Sequence, residues 1–585
     1  MKNSNKKFKK VRRNRINALK ISCGWNRGIF LIFLGGFLFR LFAMARLQFA
    51  VTFDEAHYVR LAKHFLEIGW SGVLHPYWPP FYPMTIAFFH VLGISLETAG
   101  RLVSVLMGTL TIGLVYWLAK TWFGPTEAKW SAFLYAFYPP VVLGSTHVMP
   151  ESLFSFLALL GMVLAWQAFE KKWLSLGILA GILWSFCYLV KPEGVGFLLV
   201  FLAYGIGVFL LFPKFSKPLL KRAGIMWGVV VGWILIALPY LIFLRQNTGT
   251  WTLSTKGTIN QQFESAVYFQ DEANPDPFFH LTQDNRHLPY DMAYHFGTIR
   301  ELTQMEEGKS RIVRIHPGQL VHKFVKNFYH EVKTEIPKLF GIVPFVLFVA
   351  GLLGFRPKEK SMGLFFLYLL ANVFFFWFLL VPLFHLNERY FIPLFPLFFT
   401  LMGKGLLILS QWVSEFFTVF FKGLTTSRNR VASFLVWIFV IGFGFLPEWA
   451  RWVSIRAEDP DAWADPVELK IVGNWLKTHS EHPPVLMSLN KAVDFYAGQY
   501  DMKKGASYSY DSVDRNVEYA RHRGVEYLVF SSRYLFWFPN LKPLIEKKGL
   551  PQGLRLEYEL EFPKGIHTVV YRLESENRRY GEKSQ

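Results

Sequence analysis

Eleven stretches of this chain, each close to twenty residues long, are almost wholly apolar. They lie at 28–47, 97–119, 128–148, 152–169, 173–189, 194–212, 223–244, 336–354, 362–384, 390–409 and 431–449. A membrane-spanning helix needs roughly 20 such residues, so the pattern predicts about eleven transmembrane helices. A twelfth run, 81–92, is shorter and starts among Pro79, Pro80 and Pro83. Runs of that length are more often interfacial than spanning, and this one is placed on one side of the bilayer. After residue 450 the pattern changes. Val467, Leu469, Ile471, Val472, Trp475 and Leu476 recur at helical spacing over 467–477, and 485–489, 527–530 and 568–573 read as strands. The predicted architecture is mostly α: a polytopic membrane protein with a small C-terminal α/β soluble domain. The expected division is a basic segment 1–27, a transmembrane module 28–449 with long loops at 48–96 and 245–335, and a soluble domain 450–585.

Charge orients these elements. Of 585 residues 18% are charged, 63 Lys and Arg against 42 Asp and Glu, a net +21. That surplus alone suggests nucleic acid or a membrane surface. Its distribution points to the membrane, and no nucleic-acid partner is expected. The first 27 residues carry Lys2, Lys6, Lys7, Lys9, Lys10, Arg12, Arg13, Arg15, Lys20 and Arg27 without one acid, and every second loop after them is basic. The rule that cytoplasmic loops are Lys/Arg-rich then places the N-terminus in the cytoplasm. Loops 48–96 and 245–335, and the domain after Ala450, fall on the opposite face of a plasma (inner) membrane. Cys23 and Cys187 form no disulfide framework.

Acids gather on the outer face where spans end: Asp54 and Glu55 after the first span, Glu151 behind Pro150, Glu193 behind Lys191-Pro192, and Glu388 before Arg389-Tyr390. Any one of them suits a helix N-terminus. Together on one face they point to a carboxylate site, because ionisable groups near a bilayer are expensive unless used or paired. Paired carboxylates suit a divalent cation such as Mg²⁺ or Mn²⁺, with Asp54 and Glu151 as its ligands. No Walker-type glycine-rich loop is present, so no nucleotide cofactor is expected. The outer-loop histidines His280, His287, His295, His316, His322 and His330 show no ligand spacing and read as solvated. Gly177 and Gly181 form a small-xxx-small pair for helix packing. A transporter or lipid flippase shares the spans, but its ionisable groups more often sit mid-span in broken helices.

The stretches Phe53-Asp54-Glu55-Ala56-His57-Tyr58 and Trp78-Pro79-Pro80-Phe81-Tyr82-Pro83, with Arg101-Leu102, Pro150-Glu151, Lys191-Pro192-Glu193 and Arg389-Tyr390 through Pro396, resemble the membrane glycosyltransferases of GT-C architecture. Within these they resemble the protein O-mannosyltransferase and aminoarabinose-transferase branch, over roughly residues 28–396. Glu151 stands where relatives often have Asp. The resemblance implies transfer of a sugar from a polyprenyl-phosphate donor to a protein, glycolipid or lipopolysaccharide acceptor. Such a donor brings its own leaving group, and its phosphate sits at headgroup level among membrane lipids. Asp54 is then the catalytic base, Glu55 its neighbour that orients it or holds a cation, and Glu151 a second carboxylate toward the acceptor. Arg389 and Lys191 are phosphate partners, Arg389 first because its fork pairs bidentately with phosphate oxygens. His57, Tyr58, Pro80, Glu193 and Tyr390 complete the expected substrate-binding set.

Overall fold

In the computed structural model, residues 27–47, 50–211, 219–268, 277–304, 317–383, 388–420, 428–454 and 466–574 are described. The basic N-terminal stretch, Cys23 and His316 lie outside them. By length and composition seven of the described helices can cross a membrane. Among the spanning helices are α1 (Arg27–Leu47), α4 (Leu96–Trp122), α7 (Glu151–Lys171), α9 (Val195–Leu211), α10 (Leu219–Thr248), α14 (Lys360–Val373, extended by a π-helical turn) and α15 (Pro396–Phe420). Two expected spans are shorter apolar helices: α8 (Leu174–Val190), and the segment led by α16 (Arg428–Phe439).

The expected span at 128–148 is instead two helices, α5 (Pro125–Phe137) and α6 (Pro139–Gly144). Pro139 and Pro140 cannot donate the amide bonds that would continue α5, so the helix restarts there. The run at 336–354 is likewise broken. A segment Leu320–Phe340 meets α13 (Ile342–Leu353) at 95° across Gly341, whose φ of +63° favours glycine. The run at 81–92 forms α3 (Phe81–His90), ten residues packed on α2 (Phe53–Ile68) and α4 and too short to cross a membrane.

Small residues bring the spans together. α8 lies against α10 so closely that a Cβ on Gly181 would sit 2.0 Å from the Val229 carbonyl oxygen, which is the packing role expected of the Gly177/Gly181 pair.

The C-terminal part holds a four-stranded sheet in the order β1-β2-β4-β3: β1 (Leu486–Met487), β2 (Tyr527–Ser531), β3 (Leu554–Phe562) and β4 (Ile566–Leu573). β1 runs parallel to β2; β2/β4 and β4/β3 are antiparallel, with Val529 opposite Val570. Three strands stand where the pattern put them. β3 was not anticipated, although Leu554, Leu556, Tyr558, Leu560 and Phe562 alternate with Arg555, Glu557, Glu559 and Glu561. That period of two is the sequence mark of a half-exposed strand, and its charged outward row blunts an edge. Helices α17 (Val467–His479), α18 (Ala492–Tyr496) and α19 (Val513–His522) accompany the sheet.

This C-terminal unit seats on the loops that carry the acids. α18 packs on α2, the Val51 amide donates to Tyr496 Oη at 2.8 Å, and Tyr496 donates to Glu97 at 3.0 Å. From the second long loop, Asp291 accepts from the Ser507 amide (2.7 Å) and the Tyr519 hydroxyl (2.9 Å).

Candidate active site

The site forms where α2 begins. Glu55, fully buried, reaches back to the Thr52 amide at 3.2 Å and so satisfies one of the unpaired donors of the helix start. Its other oxygen accepts from the Val148 amide and faces His147 Nδ1, both at 3.1 Å. Glu55 is therefore a clamp between α2 and the segment leading into α7. It faces away from solvent and fixes where its neighbour Asp54 points.

Asp54 keeps 18% of its side chain exposed and meets Arg389, one Oδ 2.7 Å from the guanidinium. Its second oxygen accepts from Tyr294 at 3.4 Å. Burial alone would raise the Asp54 pKa, but Arg389, with Lys256 and Lys191 farther off, outweighs it. The carboxyl is held below its ordinary value and is charged.

A second pair lies beside the first. Glu151, at the first turn of α7, meets Lys191 at 3.2 Å, and both are buried. Burial would lower the Lys191 pKa; Glu151 and Glu193 outweigh this and raise it. The Tyr390 ring joins the two pairs, since Lys191 Nζ stands 5.0 Å and the Arg389 guanidinium 5.3 Å from its centroid. Glu151 Oε2 and Glu193 Oε2 are both buried and have no hydrogen-bond partner.

An apolar cavity opens from these groups. It is walled by Phe154, Phe376, Leu380, Val381, Pro393 and Leu394, with Lys191, Glu193, Asn260 and Tyr390 at its polar end. A hydrocarbon suits such walls, and Lys191 at the polar end, with Arg389 behind the Tyr390 ring, can meet an anion.

Several expected site residues sit elsewhere. His57 is buried under the loops. Its ring stacks 4.9 Å from Trp78, lies 4.9 Å from His295 and meets Tyr294 edge-on at 5.4 Å, so it stands behind Asp54 and its partner Tyr294 and does not line the cavity. His295, read as solvated, is 2% exposed in the same cluster. Tyr58 is core, edge-on to Trp78 and Tyr82. Pro80 is the N-cap of α3 and helps set the turn. The side chain of Glu388 lies outside the described residues.

Two residues were not anticipated. Tyr294 bonds Asp54. Lys256, at the start of α11 (Lys256–Tyr268), stands 5.6 Å over the Tyr77 ring. Tyr77 donates to Asn260 at 2.7 Å and Thr255 to the Pro76 carbonyl at 2.7 Å, which pins the second long loop to the first. No local pattern in the loop marked them.

Asp54 and Glu151 are each neutralised by a basic side chain, and no group of three His, Cys, Asp or Glu side chains among the described residues fits a metal.

The family model described as dolichyl-phosphate-mannose-protein mannosyltransferase matches residues 49–253, the part that holds Asp54, Glu151, Lys191 and Glu193. No curated protein sequence matches the chain. Among solved structures, ArnT from Cupriavidus metallidurans in the apo state superposes with a TM-score of 0.51 at 14% identity, over 94% of this chain and 98% of that one. The same protein bound to undecaprenyl phosphate gives 0.50 at 13% identity, with the same coverage. The Archaeoglobus fulgidus oligosaccharyltransferase in the apo form gives 0.49 at 11% identity, over 93% of this chain and 76% of that one.

Proposed function

We propose that this chain, a membrane glycosyltransferase with the GT-C fold, moves a sugar from a polyprenyl-phosphate donor to a hydroxyl or similar nucleophile of an acceptor on the face that carries Asp54. The observation that carries the reading is the Asp54–Arg389 pair at 2.7 Å beside an apolar cavity whose polar end holds Lys191. The polyprenyl chain lies along Phe376, Leu380 and Leu394, and the donor phosphate draws Arg389 and Lys191 to its oxygens. Arg389 then leaves Asp54, whose basicity rises as its counter-ion goes. Asp54 takes the proton of the acceptor hydroxyl. The acceptor oxygen bonds the anomeric carbon while the bond from that carbon to the phosphate oxygen breaks. The electron pair leaves with the polyprenyl phosphate, and the cations that gripped the donor stabilise the charge it gains. The orphaned oxygens of Glu151 and Glu193 are acceptors available to the sugar or acceptor hydroxyls. The metal expected at Asp54 and Glu151 has no part in this scheme.

Asp54→Asn tests it. The amide keeps the size and caps a helix about as well, but it takes no proton. The expected loss is on the order of 10²–10⁴ in rate with the melting temperature unchanged. A folded variant that transfers sugar within a few-fold of wild type sinks the base assignment. Mass spectrometry of cell-surface glycans, with and without the gene, identifies the sugar and acceptor.

A further inference from the structure

Against the stretch that walls the apolar cavity packs a helix that the transfer reaction does not use. α12 (Pro317–His330) continues through a π-helical turn at Glu331–Glu335 to Phe340. This segment stands at 95° to α13, which packs tightly along the spanning α15: a Cβ on Gly405 would sit 1.8 Å from the Leu347 carbonyl oxygen. If α13 follows the spans, the α12 segment lies in the plane of the membrane.

Its surface fits that plane. Val321, Val325, Tyr329 and Val332 recur at helical spacing and are 47–63% exposed, an apolar stripe left largely open by the described residues. His322, Lys326 and Lys333 are exposed along one flank of the stripe. The two acids of the segment, Glu331 and Glu335, are both buried, so the charges it shows outward are basic. The opposite side grips the cavity wall: Asn327 donates to the Pro382 carbonyl at 3.0 Å, and the Phe328 ring lies 6.1 Å from Phe378. Phe376, Leu380 and Val381 of that same stretch line the cavity.

We propose that α12 is a membrane-surface helix whose occupant is the bilayer itself. The stripe sinks to the acyl boundary, and Lys326 and Lys333 engage anionic phospholipid headgroups. The helix thereby holds the cavity wall at the level where a lipid-linked substrate enters from the leaflet. A buried stripe flanked by lysines is the physical signature of interfacial binding, and a lysine near an anionic surface contributes about fivefold in affinity.

Two measurements on the full-length protein in lipid nanodiscs test this without any transferase assay, so failure here is separable from failure of the transferase reading. An environment-sensitive fluorophore on Val325→Cys, in a Cys23→Ser background that leaves buried Cys187 in place, should be blue-shifted and quenched by brominated lipids. A probe that reports water and escapes quenching overturns the placement. Competition between phosphatidylglycerol and phosphatidylcholine should show selective retention of the former, falling about fivefold for each lysine removed in Lys326→Gln and Lys326→Gln/Lys333→Gln. Equal retention by folded wild type and variants overturns the headgroup contact. These neutral variants are exposed on the surface, and a melting temperature within a degree or two of wild type verifies the fold.

Discussion

Arg389 holds Asp54 through a guanidinium nitrogen 2.7 Å from one carboxylate oxygen, and its planar fork suits a phosphate. Arg389→Lys keeps the charge and loses the paired geometry. At roughly 1.5–3 kcal/mol for a charged hydrogen bond, kcat/KM should fall on the order of 10- to 100-fold; an unchanged value assigns Arg389 to headgroup snorkelling. The pair also predicts a pH effect. Burial pushes the Asp54 pKa up, and the cations, Arg389 first, pull it down further. The base is competent above its pKa, so activity is lost as pH falls through a value below the usual carboxylate range. Arg389→Gln removes the largest of the lowering charges, and the acid limb of kcat/KM should move to higher pH. A limb that stays put separates Asp54 from the titration. Asp54, Glu151, Lys191 and Arg389 were legible in the sequence because each is an ionisable residue at the edge of a long apolar run, where it needs a reason to be. Glu55 was legible as part of the site, but its role was not. Whether a carboxylate reaches solvent or folds back on Thr52 and Val148 depends on where a segment 90 residues away is packed.

Helix contacts rest on residues without side chains. At the crossing of α8 and α10, Gly181→Ala would place a methyl group 2.0 Å from the Val229 carbonyl oxygen, and backbone does not yield as a side-chain tip does. The helices must separate, at a cost of about 1–3 kcal/mol. Thermal unfolding in detergent should show a lower midpoint, whereas Gly207→Ala on α9, with open space around it, should leave it near wild type. An equal response from both positions removes the close crossing as the cause. The spacing of Gly177 and Gly181 announced a packing face; which helix it would meet was not in the spacing. The break at Pro139-Pro140 was in the sequence too. Hydropathy summed over a window averages across a proline pair, and only the missing amide donors divide α5 from α6.

The whole molecule joins the C-terminal sheet to both long loops, and much of that joint is histidine. His57, His75 and His295 are buried together, with Arg60 on α2, Asp291 on the second loop and Lys491 from the C-terminal unit around them. Burial first, then Arg60 and Lys491, depresses the pKa values of His57 and His295; burial, with Lys503 and against the hydrogen bond to the His295 carbonyl, depresses that of His75 to about 4. A histidine depressed on folding contributes stability that is present above its unfolded pKa of about 6.5 and is lost as pH falls through the folded value. Asp291, with Oδ1 3.7 Å from His295 Nε2, opposes this without cancelling it. Melting midpoints should therefore decline between about pH 6.5 and pH 4, and His295→Phe should flatten the slope. A slope unchanged by that substitution places the acid sensitivity elsewhere.

The sequence by itself determined the long apolar helices, the shortness of α3, the amphipathic α17, three of the four strands and the ionisable residues at span ends. Hydrophobic period and length are local quantities that any fold of this chain must respect. The alternation in β3 was equally local. What only the tertiary structure decided was partnership: Asp54 with Arg389, Glu151 with Lys191, Tyr294 and Lys256 brought in from a loop without period, and His57 and His295 withdrawn into a common core. Pairing across 335 positions (Asp54 to Arg389, 389 − 54) arises from the packing of whole helices, which no window along the chain contains.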